Sequence, residues 1–130
     1  MPIDPPPNDD ALALKSRGGV SRVFKATGYS LAGLRAAIVG EAAFRQLLVL
    51  SAVLIPLACV LQVSALERAV LLLVVFVALI VELLNSAIEA VVDRISLKLH
   101  PLSKQAKDMG SAAQLISLLM ILTVWLVILL

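Results

Sequence analysis

Long apolar stretches separated by short polar segments dominate the pattern of this chain. Three stretches are long enough to cross a bilayer, because a transmembrane helix needs about 20 mostly apolar residues. They comprise residues 43–63, 67–88 and 111–130, and the helix of the second stretch is expected to continue to about residue 97. The pattern therefore predicts an all-α membrane protein with three transmembrane helices, over about 43–63, 67–97 and 111–130.

A further helix is predicted over residues 19–40, before the first span. Apolar residues such as Val20, Phe24 and Leu31 alternate there with basic and polar residues, which is typical of an amphipathic helix lying in the membrane interface. We expect a bend near Gly28, and a simple membrane anchor is the alternative interpretation. Residues 1–18, which begin with a segment rich in proline and acid, are predicted to form a disordered tail. Residues 19–130 then form a single membrane domain.

The second span ends in a run of polar residues. Glu82 directly follows thirteen uninterrupted apolar residues, 69–81, so a continuing helix carries its carboxylate into or beside the hydrocarbon. Ionisable residues in that position are costly and indicate function. The polar residues that follow at i+3 or i+4, i+7 and i+11 share one helical face with it: Asn85 or Ser86, Glu89 and Asp93. This face is expected to point toward protein or a cleft rather than lipid.

Composition and charge support a membrane location. With 61% hydrophobic residues and a mean hydropathy of +1.03, the chain is far more apolar than a soluble domain, which is about 45–50% apolar. A pI near 9.0 would suit nucleic acid, but ten of the eleven Lys and Arg residues precede or open the first span or follow the second, and only Arg68 lies between them. The positive-inside rule therefore predicts a cytoplasmic amino terminus and 93–110 loop, with the carboxyl terminus outside.

Acidic residues and lysines, with one asparagine and one histidine, collect on the predicted cytoplasmic side. The residues concerned are Glu41, Glu82, Asn85, Glu89, Asp93, His100, Lys104, Lys107 and Asp108. Carboxylates hold magnesium and ammonium groups neutralise phosphate oxygens, so this set suits the chemistry of a magnesium-bound phosphate. One cysteine, Cys59, and one histidine are too few for a zinc or iron site. A proton-coupled transport pathway and a structural ion-pair seam remain as alternatives.

Three motifs carry a more specific signal. They are Glu41-Ala-Ala-Phe-Arg45-Gln46, Glu82-Leu-Leu-Asn85-Ser-Ala-Ile-Glu89-Ala-Val-Val-Asp93-Arg94 and Ala106-Lys107-Asp108-Met-Gly110-Ser111-Ala-Ala. Together they resemble the prokaryotic membrane diacylglycerol kinase family, over about residues 20–130. The resemblance implies a homotrimer in the lipid bilayer with active sites shared between subunits. It also implies transfer of phosphate from ATP, with Mg²⁺, to the free hydroxyl of diacylglycerol, giving phosphatidate.

The resemblance also implies roles for individual residues. Glu82 matches the general base and Asn85 a residue that supports it. The implied metal ligands are Glu41 and Glu89. The implied nucleotide-binding residues are these two glutamates together with Arg22, Tyr29, His100, Lys107 and Asp108. The implied substrate-binding residues are Arg22, Ser30, Phe44, Arg45, Gln46, Glu82, Ser111 and Trp125.

The resemblance extends to the choice of substrate. Gly28-Tyr29-Ser30, Phe44-Arg45-Gln46 and Leu102-Ser103-Lys104 are similar to the branch that acts on diacylglycerol rather than the branch that acts on undecaprenol, which remains the alternative. Leu47 departs from an acidic residue found in many close members, and this difference concerns lipid contacts at the start of the first span. The chain resembles the Gram-negative branch of the family, which implies that the protein lies in the inner membrane with a periplasmic carboxyl terminus. A small proton-coupled transporter is the alternative outside enzymes, but it gives no reason for Lys107 and Asp108.

Overall fold

Four helices form the described part of the chain. The structure is a computed structural model that describes residues 19–130, so the tail predicted over residues 1–18 lies outside it. In chain order the helices are α1 (Gly19–Gly40), α2 (Ala42–Val60), α3 (Ala65–Ile95) and α4 (Pro101–Leu129). Helices α2, α3 and α4 are long and apolar enough to cross a membrane. The predicted all-α architecture with three such helices is therefore confirmed.

The first helix is continuous from Gly19 to Gly40. Gly19 begins it with φ of +26°, a backbone conformation that glycine adopts without a steric penalty. The chain divides between Arg35 and Ala36 into two compact units. Val20, Phe24 and other large apolar side chains of the first unit are exposed. Its place in a membrane interface stays a prediction.

A one-residue break separates α1 from α2. Glu41 has extended backbone angles, φ −116° and ψ 108°. Arg45, one turn into α2, donates hydrogen bonds from Nη1 to the carbonyl oxygens of Ile38 (2.9 Å) and Val39 (3.0 Å). These carbonyls lack partners at the end of a helix, so Arg45 stabilises the junction that carries Glu41.

Polar side chains also close the connection between α2 and α3. Ser64 and Glu67 form a capping box, in which Ser64 Oγ accepts from the Glu67 amide and the Glu67 carboxylate accepts from the Ser64 amide. Arg68 donates to the carbonyl oxygens of Ala58 (3.1 Å) and Leu61 (2.9 Å). Arg68, which lies outside the predicted cytoplasmic clusters, thus supplies hydrogen-bond donors to carbonyl oxygens at the carboxyl end of α2.

Helix α3 lies at the centre of the second unit and packs against both α2 and α4. The buried side chains of this core are Leu47, Ala58, Leu71, Val74, Val75, Ala78, Ile121 and Trp125. They come from all three apolar helices, whose remaining apolar surface is largely exposed in the single chain. The core therefore fixes the face of α3 that continues into Glu82.

The segment predicted as a loop over residues 93–110 is mostly helical, which corrects that expectation. Helix α3 runs to Ile95 and α4 begins at Pro101. His100 caps α4 by accepting the Leu102 amide on Nδ1 at 3.1 Å, and proline is favoured in the first turn because its missing N–H needs no partner. Lys104, Lys107 and Asp108 consequently project from a helix.

Candidate active site

Five residues singled out from the sequence line one cleft of about 310 Å³, here called the acidic cleft: Glu41, Glu82, Asn85, Glu89 and Ser111. Helix α3 supplies three of them from one face, at the helical spacing expected. The break before α2 supplies Glu41, and α4 supplies Ser111. The structure thus brings together groups that lie up to seventy residues apart in the chain.

The charges of the acidic cleft are unbalanced. Glu82 is only 4% exposed, and the nearby charges that act on it are those of Glu89 and Glu41. Lys, Arg and His are absent from the lining that residues 19–130 provide. Like charges at close range are unfavourable without a counter-charge, so the acidic cleft has the electrostatics of a site for a cation.

The carboxylates are too few to enclose a cation with protein ligands alone, and they suit Mg²⁺, which shares its ligands with water and substrate. Within residues 19–130, three acidic, histidine or cysteine side chains do not come close enough together to hold a metal by themselves. Mg²⁺ usually takes one or two carboxylates and completes its shell with water and substrate phosphates. Glu41 is free for such a role, because it occupies the N-cap position of α2 without making the side-chain cap bond. Glu89 lines the same cleft two turns after Glu82.

Asn85 is seated against the backbone of α4. A methyl group added at Gly110 would lie 2.0 Å from Asn85 Oδ1 and 3.1 Å from its Cγ. The buried Oδ1 has no hydrogen-bond partner within the described chain. The absence of a side chain at Gly110 therefore allows α3 and α4 to approach closely, and this approach sets the position of Asn85 in the cleft.

Basic residues line a separate hollow of about 200 Å³ near the α3–α4 connection, here called the basic hollow. Its charged or titratable lining residues are Asp93, Lys98, His100, Lys104, Lys107 and Asp108. Lys107 Nζ lies 2.7 Å from Asp93 Oδ1, and Lys104 pairs with Asp108 one turn away on α4. The implied nucleotide residues His100, Lys107 and Asp108 are thus brought together, outside the lining of the acidic cleft.

An apolar hollow of about 320 Å³ adjoins the acidic cleft. It is lined by Leu50, Leu54, Leu118, Ile121, Leu122 and Trp125, and Leu118 lines the acidic cleft as well. Trp125 is 7% exposed, and its buried Nε1 has no partner among the described residues. The indole ring presents an apolar surface to this hollow, which suits hydrocarbon.

Three implied substrate residues of α2, Phe44, Arg45 and Gln46, do not line the acidic cleft. Phe44 is in the protein interior, at 1% exposure, and Arg45 is engaged with the end of α1; Gln46 is exposed on α2. Arg22, Tyr29 and Ser30 belong to the part of α1 before Ala36 and are exposed there. Ser30 Oγ donates to the Ala26 carbonyl at 2.9 Å within that helix.

Sequence reasoning missed two contributors to the acidic cleft. Gln114 lines it, although nothing in the spacing of α4 distinguishes this glutamine from Gln105. The contact of Gly110 with Asn85 is the second contribution, and it depends on how α3 and α4 pack. The Asp93–Lys107 pair, which joins residues fourteen apart, likewise needs the turn between these helices.

Three potential membrane spans and a cleft of carboxylates beside an apolar hollow are the features of a membrane protein with a polar site next to hydrocarbon. The family model described as prokaryotic diacylglycerol kinase matches residues 28–129. A diacylglycerol kinase of Pseudomonas aeruginosa is 62% identical over 116 residues, which cover 89% of this chain and 94% of the relative. A diacylglycerol kinase of Escherichia coli (strain K12) is 51% identical over 111 residues, covering 85% and 91%. The chain belongs to the prokaryotic diacylglycerol kinase family.

The contact between Gly110 and Asn85 predicts a loss of stability on Gly110→Ala. Alanine favours a helix over glycine by about 1 kcal/mol, but the added methyl group would overlap Asn85, and overpacking costs about 1–3 kcal/mol. We expect a lower free energy of unfolding, measured by denaturant titration in mixed micelles. Gly33→Ala is the matched control, since a methyl group there meets no atom within 4 Å.

A second substitution tests whether the loss acts through Asn85. Asn85→Ala removes Oδ1 and Cγ and leaves Cβ at 3.8 Å from the added methyl group, an ordinary contact. In that background Gly110→Ala should cost little, giving a coupling free energy of about 1 kcal/mol or more. Additive effects of the two substitutions would contradict the contact.

Proposed function

We propose that the protein is an ATP-dependent diacylglycerol kinase of the bacterial inner membrane. The observation that carries this proposal is the buried Glu82 in a cleft of carboxylates that adjoins an apolar hollow. Relatives at 51% and 62% identity carry the name diacylglycerol kinase. The product would be phosphatidate, and the lipid would enter from the bilayer that surrounds the three apolar helices.

In the proposed reaction Glu82 acts as the general base. The lipid hydroxyl oxygen attacks the γ-phosphorus of ATP, its proton passes to the Glu82 carboxylate, and ADP leaves. Phosphoryl transfer depends on positioning and charge neutralisation more than on covalent help. A carboxylate with 4% exposure is largely shielded from bulk water. Asn85, seated against Gly110, would help to fix the hydroxyl group near that carboxylate.

Glu41 and Glu89 are proposed to hold Mg²⁺ together with ATP. Their carboxylates line the same cleft as Glu82, and their number suits an ion that shares its ligands with phosphate oxygens. The bound ion would neutralise charge on the transferred phosphoryl group. Lys107 and Asp108, with His100, would bind the nucleotide from the basic hollow, where Asp93 holds the Lys107 ammonium group.

The orientation and assembly are proposals as well. The excess of Lys and Arg before the first span and after the second supports a cytoplasmic amino terminus and a periplasmic carboxyl terminus. The acidic cleft and the basic hollow share no lining residue in the chain from 19 to 130. A homotrimer, in which one subunit's nucleotide groups reach a neighbour's carboxylates, would unite them.

A substrate assay tests the function directly. The purified protein in mixed micelles is given labelled ATP with diacylglycerol and undecaprenol side by side. Labelled phosphatidate as the main product supports the proposal, whereas preferential labelling of undecaprenol would assign the other branch. Labelling of neither lipid by a folded protein would exclude lipid kinase activity.

Glu82→Gln should reduce turnover by about 10²–10⁴-fold, the usual contribution of general base catalysis. Because glutamine has nearly the same size, the fold and ATP binding should persist. Turnover is measured in the micelle assay, with ATP affinity and the unfolding transition measured on the same sample. Near-normal turnover in a folded variant would remove the base assignment.

Glu41→Gln and Glu89→Gln should each raise the magnesium concentration needed for half-maximal activity. Both carboxylates are proposed to serve one ion, so the loss of either weakens the same site. Activity is titrated against Mg²⁺ for both variants, and Glu67→Gln serves as a control because this carboxylate belongs to the capping box at the other end of α3. Unchanged titrations in both cleft variants would refute the metal role.

Mixed oligomers test whether sites are shared between subunits. Glu82→Gln subunits lack the proposed base and Lys107→Ala subunits lack a proposed nucleotide group, so each alone should be inactive. Co-reconstitution should restore a measurable fraction of activity, because some interfaces then combine an intact base with an intact lysine. Mixed oligomers that assemble but stay inactive would place base and lysine in the same chain's site.

A further inference from the structure

Gln114 occupies the boundary between the acidic cleft and the apolar hollow. It lines the cleft on α4, one turn after Ser111. The next cleft-lining residues on α4 are Leu115 and Leu118, and Leu118 also lines the apolar hollow. The lining of α4 therefore changes from polar to apolar directly after Gln114.

The Gln114 side chain is held by a buried neighbour. Ser117 is 3% exposed, and its Oγ lies 2.9 Å from Gln114 Oε1 and 2.8 Å from the Gln114 carbonyl oxygen. The single hydrogen of this hydroxyl is shared between the two oxygens, which orients the carboxamide and leaves the two N–H groups of Nε2 as donors. Within residues 19–130 these donors have no protein acceptor. A ligand that supplies an acceptor to one of these donors gains about the net free energy of one neutral hydrogen bond.

The position of Gln114 indicates which part of a lipid supplies that acceptor. On the proposed function, the hydroxyl lies at Glu82, in the acidic cleft. The hydrocarbon chains suit the apolar hollow that continues past Leu118 to Trp125. The ester groups join these two parts of the molecule, so they fall at the polar-to-apolar boundary. An ester carbonyl oxygen accepts hydrogen bonds, and a carboxamide nitrogen donates them.

We propose that Gln114 is a specificity-determining residue whose carboxamide nitrogen donates a hydrogen bond to an ester carbonyl of the lipid substrate. The inference rests on the proposed function and adds to it a preference for acyl esters over alkyl ethers. Ser117 is the positioning residue of this interaction, since its hydroxyl orients the amide without reaching the cleft lining itself.

The test compares a diacylglycerol with the dialkylglycerol ether of the same chain length, which lacks the carbonyl oxygens. Gln114→Leu keeps the approximate size of the side chain and removes the donor. It should lower kcat/KM for the diester about threefold to tenfold, the range expected for one neutral hydrogen bond, and leave kcat/KM for the diether nearly unchanged. Gln105→Leu is the matched control, because it makes the same change at an exposed position of α4 and should leave the ester-to-ether ratio unaltered.

Ser117→Ala provides a second variant that leaves the amide in place. Without its hydrogen bond to Ser117, the carboxamide should lose part of its orientation, so the ester-to-ether ratio should fall in the same direction by a smaller factor. Equal losses for both lipids in Gln114→Leu, or an unchanged ratio in both variants, would overturn the inference and leave the kinase proposal standing. Failure of the parent protein to phosphorylate either lipid would instead overturn the proposed function.

Discussion

The burial of the Glu82 carboxylate is the constraint on which the rest of the site depends. An ionised group beside hydrocarbon is costly unless protein, water or a counter-ion surrounds it. Here it is 4% exposed, at the end of a helix face whose preceding turns form the core. The other charges of the acidic cleft are carboxylates too. A proton or a cation in the cleft would offset this repulsion, which links the electrostatics of the cleft to the metal role proposed for its carboxylates.

Close packing of α3 and α4 converts this constraint into a defined geometry. Gly110 lets the Asn85 side chain lie against the α4 backbone, which places the two helices near enough for α4 to close one side of the cleft. The same helix carries Ser111 and Gln114 to the carboxylates. The small residue at this helix contact thus affects the geometry of the cleft, because its missing side chain determines where the polar groups of the neighbouring helix lie.

The sequence could predict what depends on local periodicity. The polar face of α3 follows from 3.6 residues per turn, so Glu82, Asn85 and Glu89 were expected to lie together. Hydropathy detects only apolar turns and therefore predicts the third span from residue 111, whereas the helix begins at Pro101 after a cap made by His100. Gln114 could not be distinguished from other polar residues, since its position in the cleft depends on the rotation of α4 against α3. Spacing within one helix is local information, and the rotation between two helices is not.

The separation of the acidic cleft from the basic hollow has a chemical consequence. Phosphoryl transfer requires the attacking oxygen and the phosphorus within a few ångströms, yet the two linings share no residue in the described chain. Asp93 engages Lys107 in the basic hollow, so this ammonium group is partly neutralised before any phosphate arrives. An arriving phosphate would compete with Asp93 for the same ammonium group. The proposed trimer would resolve the separation, by bringing a second chain's basic hollow to the carboxylates of the first.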